Sequence, residues 1–231
     1  MSGFKVFKLS SFLLSIAIAS SAFALSLSDL SNRDAASGLK AALETGSLAA
    51  VSKLGIEDGF LKNDKVRITL PDMLERAKPL LKITGHGKRL DELEVAMNRA
   101  AESAIPMAKP LLLDAVKSMS VADAKRILTG GETSVTDFFR EKTTAPLAVK
   151  FLPLVKAVTD RSGLATRYNA AMAQVSSLNL VPEQQATVEA YVTQRALDGL
   201  FYMIGEEEKA IRRDPIGTGS KIIGKVFGSL N

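Results

Sequence analysis

The sequence contains no cysteine and no tryptophan, and His86 is the single histidine among its 231 residues. Without cysteine the chain can form neither a disulfide scaffold, a thiol nucleophile, an iron–sulfur cluster nor a zinc finger. One histidine excludes sites that require two, including the usual zinc hydrolase centre. With 46% hydrophobic and 24% charged residues, the composition is otherwise that of a folded globular protein.

The N-terminal segment, residues 1–24, has the pattern of a cleaved export signal. Lys5 and Lys8 give it a positive start, an uncharged apolar stretch follows, and Ala22-Phe23-Ala24 is a small-x-small cleavage pattern. A membrane anchor is the competing interpretation, but the fully apolar part is only about a dozen residues long. The sequence therefore predicts a signal peptide, a mature chain over residues 25–231 without a transmembrane helix, and a periplasmic location.

The excess of positive charge is small. The 30 basic and 25 acidic residues give a net charge of +5, and removal of the leader, which holds two lysines and no acid, lowers it to +3. No dense Lys/Arg cluster carries interleaved aromatic residues, so we expect no nucleic-acid partner. Peripheral contact with an anionic membrane surface stays open.

Apolar residues recur three and four positions apart along most of the mature chain, which is the period of amphipathic helices. Such helices hide their apolar stripes only by packing together. Only the segment from Lys65 to Leu70 alternates as a strand does, either as half of a hairpin or as an extended connector. The sequence therefore predicts an all-α fold: a compact multi-helix bundle, a single domain over residues 25–231, with at most one short β-hairpin or extended segment near residues 65–70.

Individual helices are predicted from stripes and stop signals. Ser120 to Asp123 has the form of a helix N-cap followed by an acid. A stripe from Leu164 to Leu178 predicts one helix, and a long helix follows from about Glu183 to Arg213, where Asp214-Pro215 stops it. A short helix begins at about Ser220, and we expect its apolar side to dock on the core rather than on a partner or a membrane.

One carboxylate, Glu208, interrupts the apolar stripe of the long helix and needs a partner there, with Arg212 one turn away. Asn98 and Glu102 share a face of another predicted helix and could complete a carboxylate-rich cleft with Glu207 or Glu208. These residues form the candidate polar cluster: Asn98, Glu102, Glu207, Glu208 and Arg212. A structural ion pair is the favoured interpretation of Glu208, ahead of a ligand- or metal-binding carboxylate and a catalytic acid or base.

The loop Gly217-Thr218-Gly219-Ser220 precedes the final helix. Glycines, hydroxyls and a helix N-terminus can hold an anion, so the loop is a candidate anion site, although an ordinary loop ending in an N-cap explains it more simply. No motif in the sequence assigns a catalytic residue, a metal ligand or a cofactor.

Several segments resemble an uncharacterised family of exported Gram-negative bacterial proteins, the domain of unknown function 4197. They are Leu25 to Leu30, Glu94 to Glu102, Ile127 to Gly131, Asp198 to Phe201, Glu206 to Pro215 and Gly217 to Ser220. The resemblance covers essentially the whole mature chain. It implies an envelope location and a mostly helical domain, and it implies no established activity, cofactor or catalytic residue.

We therefore expect a periplasmic, non-enzymatic helical module that binds an apolar ligand or a protein partner in the cell envelope. One alternative is an envelope enzyme with a carboxylate cleft around Glu208 and Glu102, and another is a purely structural or stress-related envelope protein. An apolar cavity between the helices would favour the ligand, and a closed core with an exposed docking surface would favour the protein partner. Two carboxylates converging on an open cleft would favour the enzyme.

Overall fold

A computed structural model describes residues 32–83, 85, 87–131, 133–161, 166, 169 and 187–228. The expected leader over residues 1–24 and His86 lie outside these ranges. So does the helix expected over residues 164–178, apart from Thr166 and Asn169.

The described residues fold mainly into helices. They are α1 (Asn32–Leu54), α2 (Asp72–Ile83), α3 (Gly87–Ala104), a 3₁₀ turn (Ile105–Met107), α4 (Ala108–Ser118), α5 (Val121–Leu128), α6 (Ser134–Thr159), α7 (Val188–Arg213) and α8 (Lys221–Gly228). Within these ranges there is no β-strand. The all-α bundle predicted from the sequence is confirmed.

Helix ends follow from local capping. The Ser120 side chain accepts a hydrogen bond from the Asp123 N–H, and the Asp123 carboxylate accepts one from the Ser120 N–H, so the predicted cap of α5 is a complete capping box. The Thr187 side chain accepts from the Ala190 N–H, so α7 begins at Val188. The predicted start near Glu183 was too early, because Thr187 supplies the cap.

Helix α7 is central to the bundle and packs against α1, α3, α6 and α8. The apolar residues form one continuous core, in which the large side chains are fully buried. The bulkiest of them are Phe60, Phe138, Phe139, Phe151 and Phe201. Burial of each such side chain stabilises the fold by about 1.5–3 kcal/mol before the cost of ordering the chain, so one core suffices without disulfides or metal.

The segment between α1 and α2, which we call the connector, covers residues 55–71. Val66, Ile68 and Leu70 are buried, whereas the residues that alternate with them are exposed. The predicted alternation is therefore present, as an extended connector that has no strand partner among the described residues. No helix in the part of the chain that the structure describes is long and apolar enough to cross a membrane.

Candidate functional site

The inward face of α3 is polar at three positions one turn apart, Glu94, Asn98 and Glu102. All three side chains are buried. Each of them binds the connector, which has no strand to satisfy its backbone groups. A helix face that would otherwise be apolar thus fixes an irregular segment by side-chain hydrogen bonds.

Asn98 pairs with the connector as a neighbouring strand would. Its Oδ1 accepts from the Ile68 N–H at 2.9 Å, and its Nδ2 donates to the Ile68 carbonyl at 2.8 Å. The same Nδ2 donates to the Glu94 carbonyl at 2.8 Å, which holds the amide on its own helix. The amide thereby satisfies both backbone groups of a buried residue.

Glu102 closes the first turn of the connector. Its Oε1 accepts from the N–H groups of Phe60 at 3.0 Å and Leu61 at 3.1 Å. Its Oε2 accepts from Arg99 at 2.6 Å, and the same guanidinium donates to Asp58 at 2.7 Å. The hydrogen bonds that Arg99 donates, first to Glu102 and then to Asp58, raise the pKa of its guanidinium above the ordinary range. Because both of its oxygens already accept hydrogen bonds, Glu102 is a structural anchor rather than an available acid or base.

Glu94 completes this face of α3 and lies against cations. Its Oε1 accepts from two nitrogens of Arg67, at 3.0 Å from Nε and 2.7 Å from Nη2. Lys78 of α2 approaches its other oxygen at 3.6 Å. The carboxylate therefore links α3 to the connector and to α2.

The remaining members of the candidate polar cluster bind other elements. Arg212 donates to Glu208 Oε1 at 2.8 Å from Nε, and its Nη2 reaches the Ile127 carbonyl at the end of α5 at 3.4 Å. Glu207 pairs with Lys53 of α1 at 2.5 Å. Glu208 thus takes part in the predicted ion pair on its own helix. Asn98 and Glu102 bind the connector, whereas Glu207, Glu208 and Arg212 join α7 to α1 and α5.

The polar groups of the loop before α8 form hydrogen bonds with neighbouring residues of the chain. The Asp214 carboxylate accepts from the Gly217 N–H at 2.8 Å, and Thr218 Oγ1 donates to the Pro215 carbonyl at 2.7 Å. Ser220 Oγ accepts from the Ile223 N–H at 3.5 Å, as a helix cap does. The Asp214 carboxylate thus takes the position that a bound anion would take at the Gly217 N–H. Gly217, Thr218, Gly219 and Ser220 form a capped turn, in which Gly219 has a left-handed φ of +70°.

The C-terminal helix docks on the core. Ile223 and Val226 of α8 are buried, and Val226 lies directly against Gly38 of α1, where no larger residue would fit. The expectation that the apolar side of this helix packs inward agrees with this arrangement.

Among the described residues, the apolar interior contains a small cavity beside α7. A cavity lined by Leu39, Leu43, Val135, Ile204 and neighbouring side chains, with Glu208 at its wall, measures about 10 Å³. One water molecule needs roughly that much space. This cavity is therefore too small for a lipid or another apolar ligand.

A large open groove with many polar side chains lies on the other side of α7. It has a volume of about 700 Å³ and is bounded by the connector, the N-terminal half of α6 and one face of α7. We call this space the groove. The residues that line it are Lys65, Val66, Arg67, Ile68, Thr69, Thr133, Thr136, Arg140, Tyr191, Arg195, Asp198, Gly199, Tyr202, Gly205, Glu206 and Lys209.

Aromatic rings hold two arginines in the groove. The Arg140 guanidinium lies 5.2 Å from the centroid of Phe201 and donates to Asp198 at 3.2 Å. The Arg195 guanidinium lies 5.2 Å from the centroid of Tyr191. A guanidinium over the face of a ring is attracted to it and can still use its N–H donors for other partners.

Sequence reasoning missed the groove residues. On α7 a usable signal existed, because Tyr191, Arg195, Asp198 and Tyr202 recur four, three and four positions apart, beside the apolar stripe. The contributions of the connector and of Arg140 depend on tertiary packing and have no local signature. No group of three or more His, Asp or Glu side chains in the described ranges could hold a metal ion.

Over the described residues, these features define a class of protein: an all-α bundle with one apolar core and an open basic groove. The chain belongs to the family described as protein of unknown function (DUF4197), whose sequence profile matches residues 29–228. The family resemblance predicted from the motifs is confirmed. Comparisons with curated proteins and with solved structures gave no match.

Proposed function

We propose that this protein is a non-enzymatic module of the bacterial cell envelope that binds a protein partner through the groove. The observation that carries the proposal is the contrast between a cavity of about 10 Å³ in the apolar interior and an open groove of about 700 Å³. An exposed polar surface of this size can accommodate a segment of another chain, whereas the small cavity among the described core residues cannot accommodate an apolar ligand.

The carboxylates invoked for the alternative enzyme serve structural roles. Glu102 accepts two backbone N–H groups and an arginine, and Glu208 accepts from Arg212. Neither side chain borders the groove. The geometry therefore favours binding over acid–base catalysis.

The envelope location rests on the leader pattern of residues 1–24. A cleaved leader predicts that protein recovered from the periplasm begins at Leu25. Intact-mass measurement of protein released by osmotic shock tests this. Recovery of the full-length chain in the cytoplasmic fraction would contradict the location without bearing on the groove.

Site-specific photocrosslinking tests the groove as a binding surface. A benzoylphenylalanine in place of Tyr202, which lines the groove and is 39% exposed, should form an adduct with a reproducible partner in living cells. The same probe in place of Val149, which is 76% exposed on α6 and outside the groove, is the matched control. An identified partner that attaches at position 202 and not at 149 supports the proposal. Absence of an adduct, or equal adducts at both positions, contradicts it.

A further inference from the structure

We propose that the groove binds an acidic polypeptide segment in extended conformation, with one carboxylate on Arg195 and its backbone paired to the connector at Arg67 and Thr69. This inference rests on the proposed function and deepens it, because it names the chemistry of the partner.

The first support is the charge of the groove. Its lining carries five cations and two carboxylates. The cations are Lys65, Arg67, Arg140, Arg195 and Lys209, and the carboxylates are Asp198 and Glu206. A partner segment with a moderate excess of acid therefore complements it.

Arg195 is the cation best prepared for a ligand. In the part of the chain that the structure describes, no carboxylate lies within ion-pair distance of it, whereas Arg67 pairs with Glu94 and Arg140 pairs with Asp198. Tyr191, whose ring lies beneath the Arg195 guanidinium, is itself fixed by a hydrogen bond from its hydroxyl to the Thr69 carbonyl at 3.2 Å. A guanidinium placed over a fixed ring can bind a carboxylate through two parallel N–H donors.

The connector supplies the second support, a free backbone edge. The N–H and carbonyl of Ile68 both turn to Asn98, and an extended chain turns the backbone groups of adjacent residues to the opposite side. The bond from Tyr191 to the Thr69 carbonyl agrees, since Tyr191 lines the groove. Across the described residues, the Arg67 carbonyl and the Thr69 N–H have no hydrogen-bond partner.

A single residue of an added strand would satisfy both of these groups. In a parallel strand pair, one residue donates its N–H to the carbonyl before its opposite residue and accepts from the N–H after it. With Ile68 as the opposite residue, those two groups are the Arg67 carbonyl and the Thr69 N–H. Addition of a strand to an exposed backbone edge is a recurring mode of peptide recognition.

The shape of the groove fits an extended chain. From Tyr191 to Lys209 the groove follows α7 over 18 residue steps, or about 27 Å at the helical rise. An extended peptide covers that length with about eight residues. A densely charged polyanion such as a nucleic acid would meet Asp198 and Glu206 along the same wall, whereas a peptide can place its own N–H groups there.

Fluorescence anisotropy with synthetic probes tests this assignment on the chain over residues 25–231. The probe is an eight-residue, fluorescein-labelled peptide of alternating Glu and Thr. Two controls share its length: one with Lys in place of Glu, and one N-methylated at alternate residues, which keeps the carboxylates but removes backbone donors. We expect saturable binding of the acidic probe, no saturable binding of the Lys probe, and about ten-fold weaker binding of the N-methylated probe.

Matched variants locate the binding. Arg195→Gln should weaken the acidic probe about ten-fold, because it removes the charge that faces the carboxylate. Arg161→Gln, at an exposed position outside the groove, should leave the affinity unchanged. Both variants should keep the circular dichroism spectrum of the parent protein, since both side chains are exposed.

Each of three results would overturn the assignment: equal affinity of the two variants, equal binding of the Lys probe, or no effect of N-methylation. Displacement of the acidic probe by inorganic phosphate at constant ionic strength would likewise overturn the assignment and indicate a simple oxyanion site. The two proposals fail separately. A crosslink at position 202 without binding of the acidic probe leaves the proposed function standing and removes only the acidic peptide.

Discussion

At the scale of single residues, Asn98 shows how one buried amide can replace a strand. It makes three hydrogen bonds, two of them to the backbone of Ile68. If the amide were absent, a buried N–H and a buried carbonyl would lose their partners, and each orphaned group costs about 1–3 kcal/mol. The position of the connector, and with it one wall of the groove, depends on this side chain.

Asn98→Ala should therefore lower the free energy of unfolding by about 2–4 kcal/mol. Urea denaturation of the variant and the parent measures the difference. Ser103→Ala on the same helix is the control, because its exposed hydroxyl donates only to the Arg99 carbonyl at 2.8 Å and its loss should change little. Equal effects of the two substitutions would mean that the Asn98 amide does not hold the connector.

Asp58 gives the connector a dependence on pH. Hydrogen bonds from Lys62 and then from Arg99 hold the pKa of its carboxyl below the ordinary value of 3.8. A carboxyl whose pKa is lowered by folding adds stability that is fully present above its unfolded pKa and is lost as the pH falls through the folded pKa. The contribution of Asp58 is thus present at pH 7 and disappears on acidification below about pH 4.

Asp58→Asn should consequently show a smaller loss of stability between pH 7 and pH 3 than the parent protein. Asparagine suits the positive φ of 68° at this position, so the substitution tests the charge rather than the backbone. Urea titrations at several pH values measure the curve. Asp91→Asn, at an exposed position of α3, should reproduce the parent curve, and a parent-like curve for Asp58→Asn would refute the argument.

At the scale of elements, sequence periodicity identified most helices, because burial of an apolar stripe repeats with the helical turn. The capping box of α5 and the alternation of the connector were equally local signals. The partners of Glu102 were not predictable from local sequence. Its carboxylate accepts from the backbone N–H groups of Phe60 and Leu61, which are 42 and 41 positions away. The groove was missed for the same reason, since three distant segments form it.

The contact of α8 with α1 provides a test at this scale. A methyl group added at Gly38 would collide with Val226, whereas one added at Gly46 would meet the Glu207 Cβ at 3.4 Å, an ordinary contact. Gly38→Ala should therefore destabilise the fold by about 1–3 kcal/mol through overpacking. Gly46→Ala should stabilise it by up to about 1 kcal/mol through helix propensity. Thermal unfolding of both variants measures the contrast, and a gain for Gly38→Ala would show that α8 does not dock there.

At the scale of the whole molecule, the polar anchors and the apolar core belong to one system. The buried apolar residues form a single cluster that includes members of α1, α3, α6, α7 and α8. The connector is tied to the same core through Ile68 and Leu70, so the groove wall cannot separate without exposing core residues. We expect a structure of this kind to unfold cooperatively.

The chain over residues 25–231 should accordingly unfold in one cooperative transition, as the single-domain prediction requires. Far-ultraviolet circular dichroism follows the helices, and a fluorophore attached at position 202 follows the groove. The two probes should give the same urea midpoint, and Asn98→Ala should shift both midpoints together, because the anchor and the core unfold as a unit. An earlier transition at position 202 alone would mean that the connector opens independently, so that the groove would be a separately ordered element rather than a surface fixed by the bundle.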